Sequence, residues 1–115
     1  MRSLGRDCPF CAIVAGESKA EVVYENDRCL AFRDISPQAP RHVLIVPKEH
    51  IPSIDQVEDP TLWISIMAAV REVVNRISPD SGYRLVVNCG EDAGQTVPHL
   101  HVHLLSGRPM GWPPG

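Results

Sequence analysis

Near the C-terminus, His99-Leu100-His101-Val102-His103-Leu104 alternates imidazole and aliphatic side chains without a break. Side chains of an extended strand point to opposite faces in turn. The segment therefore predicts a strand over residues 99–105, with three imidazoles on one face and Leu100, Val102 and Leu104 turned to a core. Same-face neighbours on such a strand stand about 6.5–7 Å apart, so the row is about 13 Å long, close to the reach of a nucleoside monophosphate.

The rest of the chain limits what that strand can join. Residues 62–77 repeat apolar side chains at helical spacing, with Leu62, Trp63, Ile66, Met67, Val70, Val73, Val74 and Ile77 on one face. Asp59 is placed to cap this helix, Pro60 suits its first position, and Ser78-Pro79 ends it. Residues 8–16 predict a short helix stopped at Gly16. Residues 21–24 and 29–32 read as a hairpin, residues 42–46 as a β-branched strand, and residues 83–88 as another strand. Ser36-Pro37-Gln38-Ala39-Pro40 is a stiff loop, because its prolines bar helix and ladder alike. No helical crossover separates the first three strands. The expected fold is therefore α+β, a five-stranded antiparallel sheet with one long and one short helix. The 115 residues suit one domain, with residues 1–7 expected to be flexible and 106–115 a C-terminal tail.

Eleven basic and fourteen acidic residues leave a net charge of −3, which gives no counterion-release drive toward nucleic acid. No apolar run approaches the roughly 20 residues of a membrane helix. The first residues carry no apolar stretch behind their arginines, so a secretory leader is not expected. Four cysteines in such a chain point to reduced thiols or a metal site and to a cytosolic setting.

Three accounts of the histidine row compete. A half-buried strand that merely carries histidines is the plainest, but three of the chain's five histidines at strict alternation argue against it. A catalytic metal usually takes three protein ligands and keeps one open position. A neutral imidazole can also attack phosphorus while its neighbours hold oxygens and protonate the leaving group. The preceding loop bears on the choice. Gly90 and Gly94 let backbone approach a ligand, Asn88 and Thr96 add polar groups, and loop amides of this kind cradle anions. A glycine loop set directly before a histidine row reads as a phosphate pocket.

The row fits the histidine-triad pattern of alternating histidines followed by two apolar residues. Asp34-Ile35-Ser36-Pro37-Gln38-Ala39-Pro40, His42-Val43-Leu44-Ile45-Val46-Pro47-Lys48, Asn88 with Gly94-Gln95-Thr96-Val97, and the tail from Gly107 to Trp112-Pro113-Pro114-Gly115 extend the match. The chain resembles the histidine-triad (HIT) superfamily, and within it the Hint branch. The resemblance implies a purine nucleoside phosphoramidase working through a nucleotidyl-histidine intermediate, on an adenosine or guanosine phosphoramidate or monophosphate. It implies His101 as nucleophile and His103 at the phosphate and leaving group, supported by His99, His42 and Thr96. It assigns Asp34 to the ribose hydroxyls and Phe10, Phe32 and Ile35 to the purine. Asn88, Gly94, Gln95, Thr96 and Val97 fall to the phosphate side. It also implies a homodimer whose sheets join into one, each tail reaching toward the partner's site. Two residues depart from the pattern: Thr96 stands where serine is usual, and Pro98 where an aromatic residue is common.

Cys8-Pro9-Phe10-Cys11 permits a redox reading, but the polar stretch before it cannot supply the buried strand a thioredoxin-like fold needs. Some superfamily members with such a pair bind zinc through it, a histidine after the third strand and the first triad histidine. By that resemblance the ligands are Cys8, Cys11, His50 and His99, a common set for a closed structural site. Cys29 and Cys89 read as small buried hydrophobes. Two other functions stay open: a nucleotide-binding interaction module with vestigial catalysis, and a hydrolase with zinc at the triad itself.

Overall fold

The structure, a computed structural model, describes residues 8–115; the expectation for residues 1–7 lies outside the described residues. The elements are α1 (Pro9–Val14), β1 (Val22–Glu25), β2 (Cys29–Arg33), β3 (Arg41–Pro47), α2 (Leu62–Ile77), β4 (Arg84–Val86) and β5 (Val102–Ser106). The strands form one antiparallel sheet in the order β1-β2-β3-β5-β4. This is the α+β architecture the sequence predicts.

The period of two divides the sheet into two packed faces. Cys29, Ala31, Val43, Ile45, Leu100, Val102 and Leu104 point toward α2 and meet Leu62, Ile66, Val70, Val73 and Ile77 in the larger core. Their neighbours Leu30, Phe32, Leu44 and Val46 point the other way, to a smaller core completed by Cys8 and Phe10. Thus α2 covers one face, and α1 covers part of the other.

Three boundaries differ from the sequence expectation. The β5 ladder begins at Val102, where it pairs with Ile45, not at residue 99. The amides just before it serve the loop: the His99 N–H donates to the Val97 carbonyl at 2.8 Å and the Leu100 N–H to that of Ile51 at 2.6 Å. His99 and His101 therefore approach as extended chain outside the ladder. Strand β4 is cut to three residues. Helix α2 begins two residues after Pro60, with Thr61 as its N-cap. Asp59 accepts from the Thr61 N–H at 3.0 Å, and i→i+3 bonds from Leu62 and Trp63 close a tight turn ahead of the helix.

One residue leaves the expected core face of α2: Met67 is 50% exposed. Ala69, small enough to lie against the sheet, is buried. Ser78 ends the helix with a left-handed φ of 47°, its N–H returned to the Val74 carbonyl at 2.9 Å. Ile66 is 2% exposed between helix and sheet. Ile66→Ala should cost about 2–5 kcal/mol in urea unfolding. The control Arg71→Ala, on the exposed side of the helix, should stay within about 0.5 kcal/mol. Equal effects would contradict this packing.

Candidate functional site

His99 is fully buried, and its two ring nitrogens have different partners. Nε2 lies 2.9 Å from the Pro47 carbonyl, which can only accept, so Nε2 carries the proton. Nδ1 is left with its lone pair, 3.2 Å from Cys8 Sγ and 3.5 Å from Cys11 Sγ. Cys11 Sγ also lies 3.2 Å from Nδ1 of His50. The four ligand atoms of Cys8, Cys11, His50 and His99 are all within 4.8 Å of one another.

A tetrahedral zinc ion holds sulfur at about 2.3 Å and nitrogen at about 2.0–2.1 Å, which separates sulfur from nitrogen by about 3.5 Å. The cluster fits that geometry. A backbone carbonyl on the far nitrogen of a ligating histidine is a familiar orienting partner. The Cys11 N–H donates to Cys8 Sγ at 3.3 Å, which holds that sulfur beside the other ligand atoms. Burial is the main force holding His99 down to about 4, so the ring is neutral at pH 7.

The smaller core opens beside this cluster into a cleft of about 480 Å³. Phe10, Phe32, Asp34, Ile35, His42, Thr96, Val97, His101 and His103 all line it. The Phe10 ring meets Phe32, His99 and His101 edge-on, with centroids 5.6, 5.8 and 5.0 Å away. Ile35 is 94% exposed at the rim. Asn88, Gly94 and Gln95, expected on the phosphate side, are not among the lining residues. The Gln95 side chain instead braces its own loop. It donates to the Pro52 and Val97 carbonyls at 2.7 and 3.1 Å and accepts from the Gly90 N–H at 3.0 Å. Lys19 and Gln38 also line the cleft, and the sequence reading missed both. Gln38 had a signal: it sits between two prolines, four residues before His42.

Hydrogen bonds set the proton positions along the row. His101 Nδ1 lies 2.7 Å from the His99 carbonyl and donates to it, so the neutral ring carries its lone pair on Nε2. The Gln38 N–H donates to His42 Nδ1 at 3.0 Å, which puts the His42 proton on Nε2. That nitrogen is 2.9 Å from His103 Nδ1 and 3.5 Å from Asp34 Oδ2. With Nδ1 accepting, the neutral His103 ring carries its proton on Nε2. The rings of His101 and His103 are 5.0 Å apart, placing a bare nitrogen and an N–H side by side in one cleft. Burial, then the neighbouring His101 and His42, push His103 down to about 4, while Asp34 opposes. Burial also lowers His42, again against Asp34.

Asp34, His42 and His103 also group closely enough to suggest a metal. The hydrogen bonds disfavour it, because the Gln38 N–H takes the His42 Nδ1 lone pair and leaves a proton on Nε2, the atom that faces the other two.

Residues 15–110 match the HIT domain family, and the chain belongs to that family. Cys8, Phe10 and Cys11 precede the matched segment. The chain is 44% identical to an uncharacterized HIT-like protein of Synechocystis sp., over 97% of this chain and all of that one. A HIT family hydrolase from Legionella pneumophila superposes with a TM-score of 0.88 at 47% identity, over 95% of this chain and all of that one. A histidine triad protein from Clostridium difficile gives 0.86 at 41% identity, over 91% of this chain and 94% of that one.

The lowered His103 has a consequence for stability. Folded, it titrates near 4; unfolded, near 6.5, so between these values the unfolded chain binds more protons. Its contribution is complete above pH 6.5 and is lost as pH falls toward 4. Wild type should therefore lose more stability between pH 7 and pH 5 than His103→Gln, measured by urea unfolding. Equal losses would show that His103 is not held neutral.

Proposed function

We propose that the protein is a purine nucleoside phosphoramidase of the Hint branch, acting as a homodimer in the cytosol. The observation that carries this reading is the pairing of a bare His101 Nε2 with a protonated His103 Nε2 in one cleft. Hydrolysis is the activity named for the Legionella relative. His101 Nε2 attacks the α-phosphorus of an adenosine or guanosine phosphoramidate and the P–N bond breaks. The amine leaves with a proton taken up from solvent, while the His103 Nε2–H donates a hydrogen bond to the departing nitrogen; the hydrolysis step returns a proton to solvent. Water then cleaves the histidine–phosphorus bond and releases the nucleoside monophosphate, returning His101 to its starting form. Fixed donors around the developing phosphoryl charge stabilise the transition state.

Phe10 and Phe32 supply the apolar wall for the purine, Ile35 closes the rim, and Asp34 accepts from the ribose hydroxyls. Thr96 and Val97 stand on the phosphate side; Asn88, Gly94 and Gln95 act there through the loop that presents them. Cys8, Cys11, His50 and His99 would hold zinc. With four protein ligands such a site is closed, and the ion supplies a cross-link between α1, the segment after β3 and the approach to β5. For dimerisation, β4 offers a sheet edge and Trp112 is 84% exposed on the tail. Four cysteines in such a chain, two of them in the candidate ligand set, suit a reducing compartment, and no helix among the described residues is long and apolar enough to cross a membrane.

Amine release from adenosine 5′-phosphoramidate tests the reading. His101→Ala should lower kcat by roughly 10³-fold or more while bound zinc is unchanged. Undiminished turnover would overturn the mechanism. A folded wild type that binds AMP but releases no amine from the phosphoramidate would favour a nucleotide-binding interaction module.

Cys8→Ser should abolish stoichiometric zinc binding. It should also lower the thermal midpoint by more than about 4 °C, the shift about 1 kcal/mol gives in a domain of this size. An unchanged zinc content would refute the assigned ligand set.

A further inference from the structure

The relay that sets the proton on His103 begins at a backbone amide in an exposed loop. The Gln38 N–H fixes His42, and His42 fixes His103. Neither Gln38 nor the prolines around it lie in a helix or strand, so the position of this amide depends on what packs against the loop. The chain just past β5 does so at two points.

Gly107, at φ +100°, turns closely over Pro40; a Cβ there would stand 2.8 Å from the Pro40 Cβ. Both the backbone angle and the contact require glycine. The next residue, Arg108, donates from Nε to the Gln38 carbonyl at 3.0 Å. Its Nη1 donates to the Pro109 carbonyl at 3.0 Å, which holds the guanidinium in place. The same tail is pinned further on, where Arg84 Nη2 donates to the Gly111 carbonyl at 2.9 Å.

We propose that Arg108 is a positioning residue: by holding the Gln38 carbonyl it aims the Gln38 N–H at His42 and so keeps the His103 proton on the nitrogen that serves the leaving group. This rests on the phosphoramidase reading for its effect on rate, but not for its effect on the histidines. Arg108 acts on a neighbouring peptide group and through two imidazoles, so it contributes direction and not charge at the reacting atoms. Without it the loop can rotate the amide off Nδ1. His42 then populates both tautomers, and a His42 protonated on Nδ1 offers His103 a lone pair in place of an N–H. His103 in turn places its own proton on Nδ1 and loses the donor at Nε2.

The test combines kinetics with nitrogen NMR at pH 7. Arg108→Met should lower kcat about 10-fold, the low end of what losing an outer-shell partner costs at a metal-ligating histidine, with less than a twofold change in AMP dissociation constant. In the double variant with His42→Asn the arginine change should cost nothing further, because the path through His42 is already cut. Histidine ¹⁵N shifts should show unprotonated Nδ1 on His42 and His103 in wild type and mixed tautomers in Arg108→Met. Wild-type kcat with an unchanged nitrogen pattern in Arg108→Met would overturn the proposal, as would a full additive loss in the double variant. If wild type fails to cleave phosphoramidate, the proposed activity falls, and the nitrogen pattern alone still decides the role of Arg108.

Discussion

The fixed point of this structure is the His99 residue, which uses ring and backbone for three separate tasks. Its Nε2–H ties the approach to β5 to the end of β3 through the Pro47 carbonyl. Its Nδ1 faces the two cysteines that begin α1. Its carbonyl takes the Nδ1 proton of His101. A fully buried imidazole with an unpaired nitrogen is costly, so each of these contacts constrains the others. If the ring turned over, it would lose the carbonyl and present an N–H to the sulfurs. The ligand cluster and the orientation of His101 are therefore set by one residue, the first through its ring and the second through its backbone carbonyl, although only the second bears on phosphoryl transfer.

The sheet's alternation separates this chemistry from the forces that fold the chain. Leu100, Val102 and Leu104 join the α2 core, while His99, His101 and His103 face α1 and the cleft. Most apolar burial thus occurs on the side away from the reacting groups, where side chains can be chosen for packing alone. The smaller core is both structural and functional. Phe10 is 8% exposed, packs against Phe32 and lines the cleft. Its neighbours in sequence, Cys8 and Cys11, are candidate ligands, so whatever fixes those sulfurs also fixes one wall of the pocket.

Much of this was legible because it rests on periodicity and residue chemistry. The triad alternation, the apolar stripe of α2, the hairpin and the four-ligand set each follow from spacing or from the histidine-triad resemblance, and the structure brings Cys8, Cys11, His50 and His99 together. The less legible features depend on where backbone amides and carbonyls point. Nothing in the side chain of Gln38 shows that its N–H will meet His42, nor that Gln95 will spend its amide on the Pro52, Val97 and Gly90 backbone. Met67 reads as a core residue by spacing, yet the buried stripe shifts toward Ala69, which allows helix and sheet to approach closely.

Pro98 explains the late start of β5. The His99 N–H bonds to the carbonyl of Val97, two residues back, so Pro98 is the centre of a three-residue turn. Proline's fixed φ near −65° suits that centre, and the turn leaves no N–H unpaired because proline has none. The chain leaves the turn with the His99 ring directed at Pro47 and the cysteines, and the Leu100 amide is taken by Ile51 before the ladder can form. An aromatic residue at 98 would keep the alternation but free the backbone angle and add an amide that needs a partner. The proline turn thus fixes the backbone that carries His99, the residue through which both clusters are aligned.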